Sequence, residues 1–324
     1  MNNVSLLNST ITQTLNYAAP ILFAALGGLM SESSGVVNIA LEGIMRFAAF
    51  FGVWGAFVSG SPWIGLLCGI GIGILLGILH AYITVSWAGD QIVSGVAINV
   101  MAIGVITYLL ELIFKTTGYS PPAPYFGSEA NMIHLTFLKD IPILGGFANL
   151  TIFVWFSLIL VVVIHFILYY TVIGLRIRAV GENPQAAETL GVNVFKIKWL
   201  SVILGSIFAA FGGMALSLGT LSSFTNSMAM GKGFIGLAAM IFGKWTPFGA
   251  LGAALLFAFA QVLQLLLQST VSGFAKIIPL GFYLALPYLL TIGALIGFIG
   301  RAIAPACLLY TSDAADDMQC VDLG

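Results

Sequence analysis

Long apolar runs separated by short polar breaks extend over most of this chain. Pro62–Trp87, Gln91–Phe114 and Leu150–Tyr170 are three such runs, and each is long enough to cross a bilayer, which takes about 20 apolar residues in a helix. A membrane β-barrel would instead show short strands in which polar and apolar residues alternate. The pattern therefore predicts transmembrane helices. Further runs of the same kind are Leu15–Met30, Leu200–Gly219, Leu251–Gln268 and Leu280–Ile299.

Two apolar segments are interrupted or short. Val36–Val58 contains Asn38, Glu42 and Arg46, and Gly233–Phe242 has only about half the length of a span. Non-helical backbone at membrane depth is tolerated where it is buried in protein or lines a cavity. We therefore expect broken or re-entrant helices here, in an all-α polytopic membrane protein with about eight to ten transmembrane helices.

The two ends of the chain share one layout. In Leu15–Trp87 and in Leu200–Arg301, a full span is followed by a Gly/Ser-rich break, an interrupted apolar segment and further spans. This suggests an inverted repeat of broken helices, as found in many transporters. The alternative is that membrane helices all resemble one another at this level of detail. The sequence also leaves open whether Gly233–Phe242 crosses the membrane or re-enters it.

The composition agrees with the hydropathy pattern. The chain is 60% hydrophobic and only 7% charged, with a mean hydropathy of +1.07, whereas an ordinary soluble domain has about 25% charged residues. So few charges cannot solvate a globule of this size. A soluble enzyme and a nucleic-acid-binding protein are therefore excluded.

The composition changes abruptly near the C-terminal end. The stretch from Cys307 onward holds four of the 12 acidic residues and no basic residue. Such a stretch resembles translated adapter or vector sequence. We therefore expect one membrane domain over residues 1–305 and a non-native tail over residues 306–324 that packs on nothing. Without the tail, 11 basic and 8 acidic residues remain, a net charge of +3.

The charges of the two longest polar loops predict the topology. In Lys115–Asn149 the basic and acidic residues cancel, whereas Thr171–Trp199 carries Arg176, Arg178 and two lysines against two glutamates. Cytoplasmic loops of membrane proteins carry an excess of Lys and Arg. We therefore expect Thr171–Trp199 in the cytoplasm, with Lys115–Asn149 and the N-terminus outside.

Residue patterns for catalysis or nucleotide binding are absent from the sequence. His80, His134 and His165 are not spaced with one another or with cysteine as metal ligands would be, and each is expected to be a hydrogen-bonded structural residue. Lys232 is followed by Gly233 rather than by Ser or Thr, so it does not form a phosphate-binding loop. The sequence predicts no enzyme, no metal and no cofactor.

The cytoplasmic loop contains the signals of a short helix. Asn183 can cap it, Pro184 suits its first position, and Gly191 can end it. A helix of about two turns is unstable alone in water. Ala186 and Ala187 would let a partner surface approach closely. The alternative is a linker helix at the membrane surface.

Several motifs carry a resemblance to a known family. Gly181–Ala187 reads Gly-Glu-Asn-Pro-Gln-Ala-Ala and is followed by Gly191-Val192-Asn193. These residues, with Ser31–Gly43 and Gly233–Ala239, resemble permease subunits of bacterial ABC importers. The group concerned includes branched-chain amino acid, ribose and nucleoside permeases, and the similarity is greatest to its nucleoside or simple-sugar branch. It covers nearly all of residues 10–304.

The resemblance implies a division of labour among subunits. A permease of this kind forms the path for the solute in the bacterial plasma membrane, as a pair with a second copy or a homologue. Cytoplasmic ATP-binding subunits dock on the loop helix, and an external solute-binding protein delivers the solute; nucleic acid has no role. Gln185 stands where the broader signature has Glu. The coupling helix would comprise Glu182, Asn183, Pro184, Gln185, Ala186, Ala187 and Gly191.

Polar residues within the spans are candidates for the solute path. Gln261, Gln264 and Gln268 form one stripe of an otherwise Leu-rich helix, and Asn99 is expected on a facing helix. Amides donate and accept hydrogen bonds, which suits neutral hydroxylated solutes. The alternative is that these amides hydrogen-bond between helices.

An ion-coupled secondary transporter is the competing function. Such a carrier needs acidic residues at membrane depth that are not paired with a basic residue. Glu42 and Arg46 are one helical turn apart and are expected to form an ion pair, and Asp90 and Glu111 lie near span ends. The sequence therefore favours the importer.

Overall fold

The computed structural model describes residues 3–128, 133–134, 144–270 and 304–309. The described chain is helical apart from short connections and a two-stranded antiparallel sheet of β1 (Ile133–His134) and β2 (Asn149–Leu150). The helices are α1 (Asn3–Glu32), α2 (Leu41–Ser59), α3 (Pro62–Ala81), α4 (Gln91–Leu109), α5 (Ile152–Tyr170), α6 (Val172–Glu182), α7 (Pro184–Thr189), α8 (Val194–Leu216), α9 (Lys232–Phe242), α10 (Pro247–Thr270) and α11 (Ala306–Leu309). Single π-helical turns extend α3, α4 and α8.

The predicted all-α membrane architecture is confirmed. Among the described residues, seven helices are long and apolar enough to cross a membrane, namely α1 to α5, α8 and α10. The predicted span Leu280–Ile299 lies outside the described residues. Burial divides the spans into two groups: α1, α2 and α8 are mostly buried, whereas α3, α4, α5 and α10 expose most of their apolar surface. The first group forms the centre of the bundle and the second lies at its periphery.

The central helices α1 and α8 cross at a pair of glycines. A Cβ atom on Gly27 would lie 2.5 Å from the carbonyl oxygen of Gly205, and one on Gly205 would lie 2.4 Å from the carbonyl oxygen of Gly27. Gly212 approaches Pro20 in the same way, so the two helices run antiparallel. Small residues at such crossings allow the backbones to approach closely.

The packing around this crossing is reciprocal. Helix α1 packs on α8, α9 and α10, while α8 packs on α1, α2 and α3. If α1, α2 and α3 are replaced by α8, α9 and α10 in that order, these same helix pairs are in contact. Each half also contains the predicted break, at residues 33–40 in the first and at residues 222–231 in the second. This is the arrangement that an inverted repeat of broken helices predicts.

The short helix α9 completes a crossing of the membrane. Before it, Phe224 and Thr225 pair with Ser120 and Tyr119 in the connection that follows α4. After it, the Trp245 indole donates a hydrogen bond of 2.7 Å to the Glu32 carboxylate at the end of α1. These contacts lie at opposite ends of the bundle, so residues 222–245 traverse it.

The two breaks meet at Glu42, in the first turn of α2. Its carboxylate accepts hydrogen bonds from the backbone N–H groups of Gly231, at 3.0 Å, and of Gly233, at 2.7 Å. The predicted ion pair of Glu42 with Arg46 is therefore wrong. The physical reason is that the first N–H groups of α9 have no partner within their own helix, and a carboxylate at a helix N-terminus also interacts favourably with the helix dipole.

The described part of the C-terminal tail does contact the rest of the protein. Helix α11 packs on α6, and Cys307 is buried. The prediction that the tail packs on nothing is therefore wrong for Ala306–Leu309. The physical reason is that these residues are apolar, so their contact with α6 removes apolar surface from water.

The topology predicts which positions an impermeant thiol reagent reaches. In a variant with Cys68, Cys307 and Cys320 replaced by Ser, a cysteine at the exposed Thr117 should be labelled in intact cells. A cysteine at the exposed Thr189 should be labelled only after permeabilisation. If position 189 were labelled in intact cells and position 117 only after permeabilisation, the assigned orientation would be wrong.

Replacing Glu42 by Ala should destabilise the protein by about 2–4 kcal/mol, since it leaves the buried N–H group of Gly233 and the part-buried N–H group of Gly231 without a partner. The measurement is thermal unfolding in detergent. Glu111→Ala is the matched control, because Glu111 is exposed at the end of the fourth span. Equal melting temperatures for the two variants would contradict the assigned role of Glu42.

Candidate coupling and translocation site

The predicted cytoplasmic helix forms as α7. The Asn183 side chain accepts a hydrogen bond of 3.0 Å from the Ala186 N–H, and Pro184 occupies the first helical position. Gly191 adopts a φ of +80°, where a side chain would be strained, and Val192 N–H donates to the Ala187 carbonyl at 3.1 Å. Both ends of the helix are thus capped as the sequence predicts.

Only one side of α7 is available to a partner. Gln185, Ala186 and Glu188 are exposed, whereas Ala187 is buried against Val180 and Val194 of the same chain. The prediction that Ala186 and Ala187 both face a partner is therefore wrong for Ala187, which packs on α6 and α8. Of the two alanines, only Ala186 is exposed.

The exposed side of α7 ends at a residue that the sequence reasoning missed. Leu190 is 84% exposed at the end of the helix, in a loop that also exposes Arg176 and Lys196. An isolated exposed leucine is not informative alone. Here it lies beside a capped helix in a cationic loop, so it adds an apolar contact to the candidate docking surface. Its position just before Gly191 was the signal available in the sequence.

The loop is anchored to the bundle through α6. The Arg178 guanidinium lies 5.0 Å from the ring centre of Tyr169 on α5, a distance at which a cation and an aromatic ring attract each other. At the end of α6, Gly181 lies directly against the backbone of Ser33. The loop that carries α7 therefore rests on the break between α1 and α2.

Asn99 is tied to that break. Its amide nitrogen donates to the Ile39 carbonyl at 3.0 Å, and its amide oxygen accepts from the Gly43 N–H at 2.7 Å. Both ends of the amide thus bind backbone groups that the interrupted helix leaves unpaired. The interhelical hydrogen bonding considered from the sequence is therefore present for this residue.

Other polar side chains bind the same break. The Gln91 side-chain oxygen accepts from the Val37 N–H at 2.6 Å. The buried His80 ring contacts the Ser94 hydroxyl at 2.9 Å and the Val37 carbonyl oxygen at 3.3 Å, so it is a hydrogen-bonded membrane histidine as predicted. Nothing in the sequence signals the contact of Gln91 with Val37, because the two residues are far apart in the chain.

The glutamine stripe lies on α10. Gln261 and Gln264 are half-buried, and neither side-chain amide forms a hydrogen bond with another described residue. The side chain of Gln268 lies outside the described residues. Helix α10 packs on α1, α5 and α9, whereas α4, which carries Asn99, packs on α2 and α3. The two parts of the predicted path therefore lie on helices with different neighbours.

The described residues hold no group of three or more His, Cys, Asp or Glu side chains that could bind a metal ion. His165 lies among the rings of Tyr169 and Phe248. The side chain of His134 is outside the described part of the chain. The buried Nδ1 of His165 has no hydrogen-bond partner, so the hydrogen bond predicted for that nitrogen is not formed.

Comparison with known proteins identifies relatives over nearly the whole chain. The chain is 42% identical to the guanosine ABC transporter permease protein NupQ of Bacillus subtilis, a match that covers 94% of this chain and 96% of the relative. It is 37% identical to the nucleoside ABC transporter permease protein NupC of Lactococcus lactis, with the same coverage. A putative glucose ABC transporter permease protein of Haloferax volcanii, TsgC13, is 35% identical over 80% of this chain and 78% of the relative.

No solved structure matches the chain significantly. The model of one protein family matches residues 10–295, a range that includes both breaks and the loop that carries α7. That family is described as the permease component of the branched-chain amino acid transport system. The chain therefore belongs to this family of ABC transporter permeases and is a multi-pass protein of the plasma membrane.

Proposed function

We propose that this permease forms the path for nucleosides or simple sugars in an ABC importer and couples to a separate ATPase through α7. The observation that carries the proposal is the capped α7, which presents Gln185, Ala186 and Leu190 beside a bundle of broken helices. The named substrates of the relatives, guanosine, nucleosides and glucose, support this class of solute.

The residues of the coupling helix divide into two roles. Asn183, Pro184 and Gly191 build and end the helix, and Ala187 fixes it on the bundle. Glu182, Gln185 and Ala186 are exposed and contact the ATPase. Gln185 keeps the length of the Glu in the broader signature but carries no charge, so it contributes neutral hydrogen bonds to the contact.

The solute path follows the glutamine stripe. Gln261 and Gln264, with Gln268 further along α10, offer amides that hydrogen-bond with sugar hydroxyls and nucleobase edges. Asn99 contributes by holding the start of α2 in place. The chain performs no chemistry of its own, because energy comes from ATP hydrolysis on the partner subunit.

Two further partners complete the importer: a second permease, as a copy or a homologue, and an external binding protein. The outer connection after α4 is the candidate docking region for the binding protein. It is ordered by hydrogen bonds from Ser120, Ala123 and Phe126 to the segment that follows α8. A fixed outer surface is what a docking protein requires.

Ala186→Arg should abolish import while leaving the folded protein intact, because Ala186 is exposed and a large cation there blocks a close approach. Ala187→Arg is the comparison, since it places a charge into the contact with Val180 and Val194 and should lower the melting temperature as well. Import and thermal stability are measured for both variants. Normal import by Ala186→Arg would contradict the proposal that α7 contacts the ATPase.

Gln264→Leu should reduce solute uptake by roughly tenfold, since about 1–3 kcal/mol is lost for each polar group of the solute left unpaired. The melting temperature should change little, because the Gln264 amide has no partner among the described residues. Uptake rate and thermal stability are measured side by side. A destabilised variant whose folded fraction imports normally would assign the stripe to helix packing instead.

A further inference from the structure

The cytoplasmic loop meets the bundle at a contact between two backbones. A Cβ atom on Gly181, at the end of α6, would lie 2.2 Å from the carbonyl oxygen of Ser33 and 3.3 Å from the backbone nitrogen of Gly35. Gly35 itself has a φ of +81°. Only glycine at position 181 allows this approach, which places α6 directly on the break at residues 33–40.

Hydrogen bonds and side-chain packing join α6 to α7. The Asn183 N–H donates to the Ala179 carbonyl at 2.9 Å, and the Ala187 N–H donates to the Asn183 carbonyl at 3.1 Å. Ala187 also packs on Val180. Because these contacts join α6 to α7, a displacement of α7 also displaces Gly181.

Two residues that flank the break, Glu32 and Glu42, bind the two ends of α9. At one end, the Glu32 carboxylate accepts the 2.7 Å hydrogen bond from the Trp245 indole. Lys244 and Trp245 both have positive φ, at 54° and 51°, a conformation that is disfavoured for residues with a side chain. At the other end, Glu42 binds the N–H groups of Gly231 and Gly233. A shift of the break therefore reaches the start and the end of α9.

Resting on the proposed function, we propose that the contact of Gly181 with Ser33 is the joint that transmits movement of the coupling helix to the two broken helices. The chain of contacts runs from α7 through α6 to the break, and from there to α9. Gly181 is a positioning residue, since it acts on the solute path only through the segments that it holds.

The test is Gly181→Ala in the complete importer, reconstituted in lipid vesicles with its ATPase and binding protein. Import and ATP hydrolysis are both measured, and their ratio is the readout. The added methyl group separates α6 from the break, so we expect ATP hydrolysis to continue while import per ATP falls by about tenfold, a typical coupling effect.

Gly104→Ala is the matched control, because a Cβ atom at Gly104 meets nothing within 4 Å and the same substitution there should leave the ratio unchanged. A defect that is only structural would lower import and ATP hydrolysis together and keep their ratio. An unchanged import per ATP in Gly181→Ala therefore overturns the proposal.

Trp245→Phe decides the question if Gly181→Ala fails to assemble. It removes the hydrogen bond to Glu32 without adding volume, and import per ATP should again fall. An unchanged ratio overturns the proposal. A wild-type complex that hydrolyses ATP but imports neither nucleosides nor sugars would count against the proposed function itself, so the two failures are distinguishable.

Discussion

Backbone N–H and C=O groups at membrane depth must find partners inside the protein, and the two helix breaks of this permease place such groups at the centre of the bundle. Glu42 binds the N–H groups at the start of α9. Asn99 and Gln91 bind those of Gly43 and Val37 at the first break. The positions of α2, α4 and α9 therefore depend on a few polar side chains.

The same requirement explains the distribution of burial. Helices α1, α2 and α8 enclose the breaks and are mostly buried, with Gly27 and Gly205 at the crossing of α1 and α8. The peripheral helices can expose apolar surface, because their backbone groups are paired within each helix. Glycine thus appears where backbones touch, and large apolar residues appear at the exposed periphery.

The proposed coupling to an ATPase adds a requirement outside the membrane. Helix α7 has six residues, too few to be stable in isolation. Its caps at Asn183 and Gly191, and the packing of Ala187 on Val180 and Val194, hold it on the bundle. A helix fixed in this way suits the proposed transmission of movement to α6, because both of its ends are capped and its inner side is packed.

The sequence by itself determined the features that depend on local chemistry. Apolar runs of spanning length predicted the helices, and Asn183, Pro184 and Gly191 predicted the bounds of α7. The side of the membrane that each loop faces stays a prediction from the loop charges. The breaks at residues 33–40 and before α9 were visible because glycine and polar residues interrupt apolar runs.

Tertiary structure decided which partner each polar residue takes. Arg46 is one turn from Glu42 in sequence, yet Glu42 binds Gly231 and Gly233, because unpaired N–H groups from a distant segment lie against it. Three other features also depend on segments that are distant in the chain. They are the inward position of Ala187, the hydrogen bonds of Asn99 to the first break, and the crossing of the bundle by the segment that contains α9. Hydropathy and helix caps depend on neighbours along the chain, whereas the partner of a buried polar group depends on which segments folding brings together.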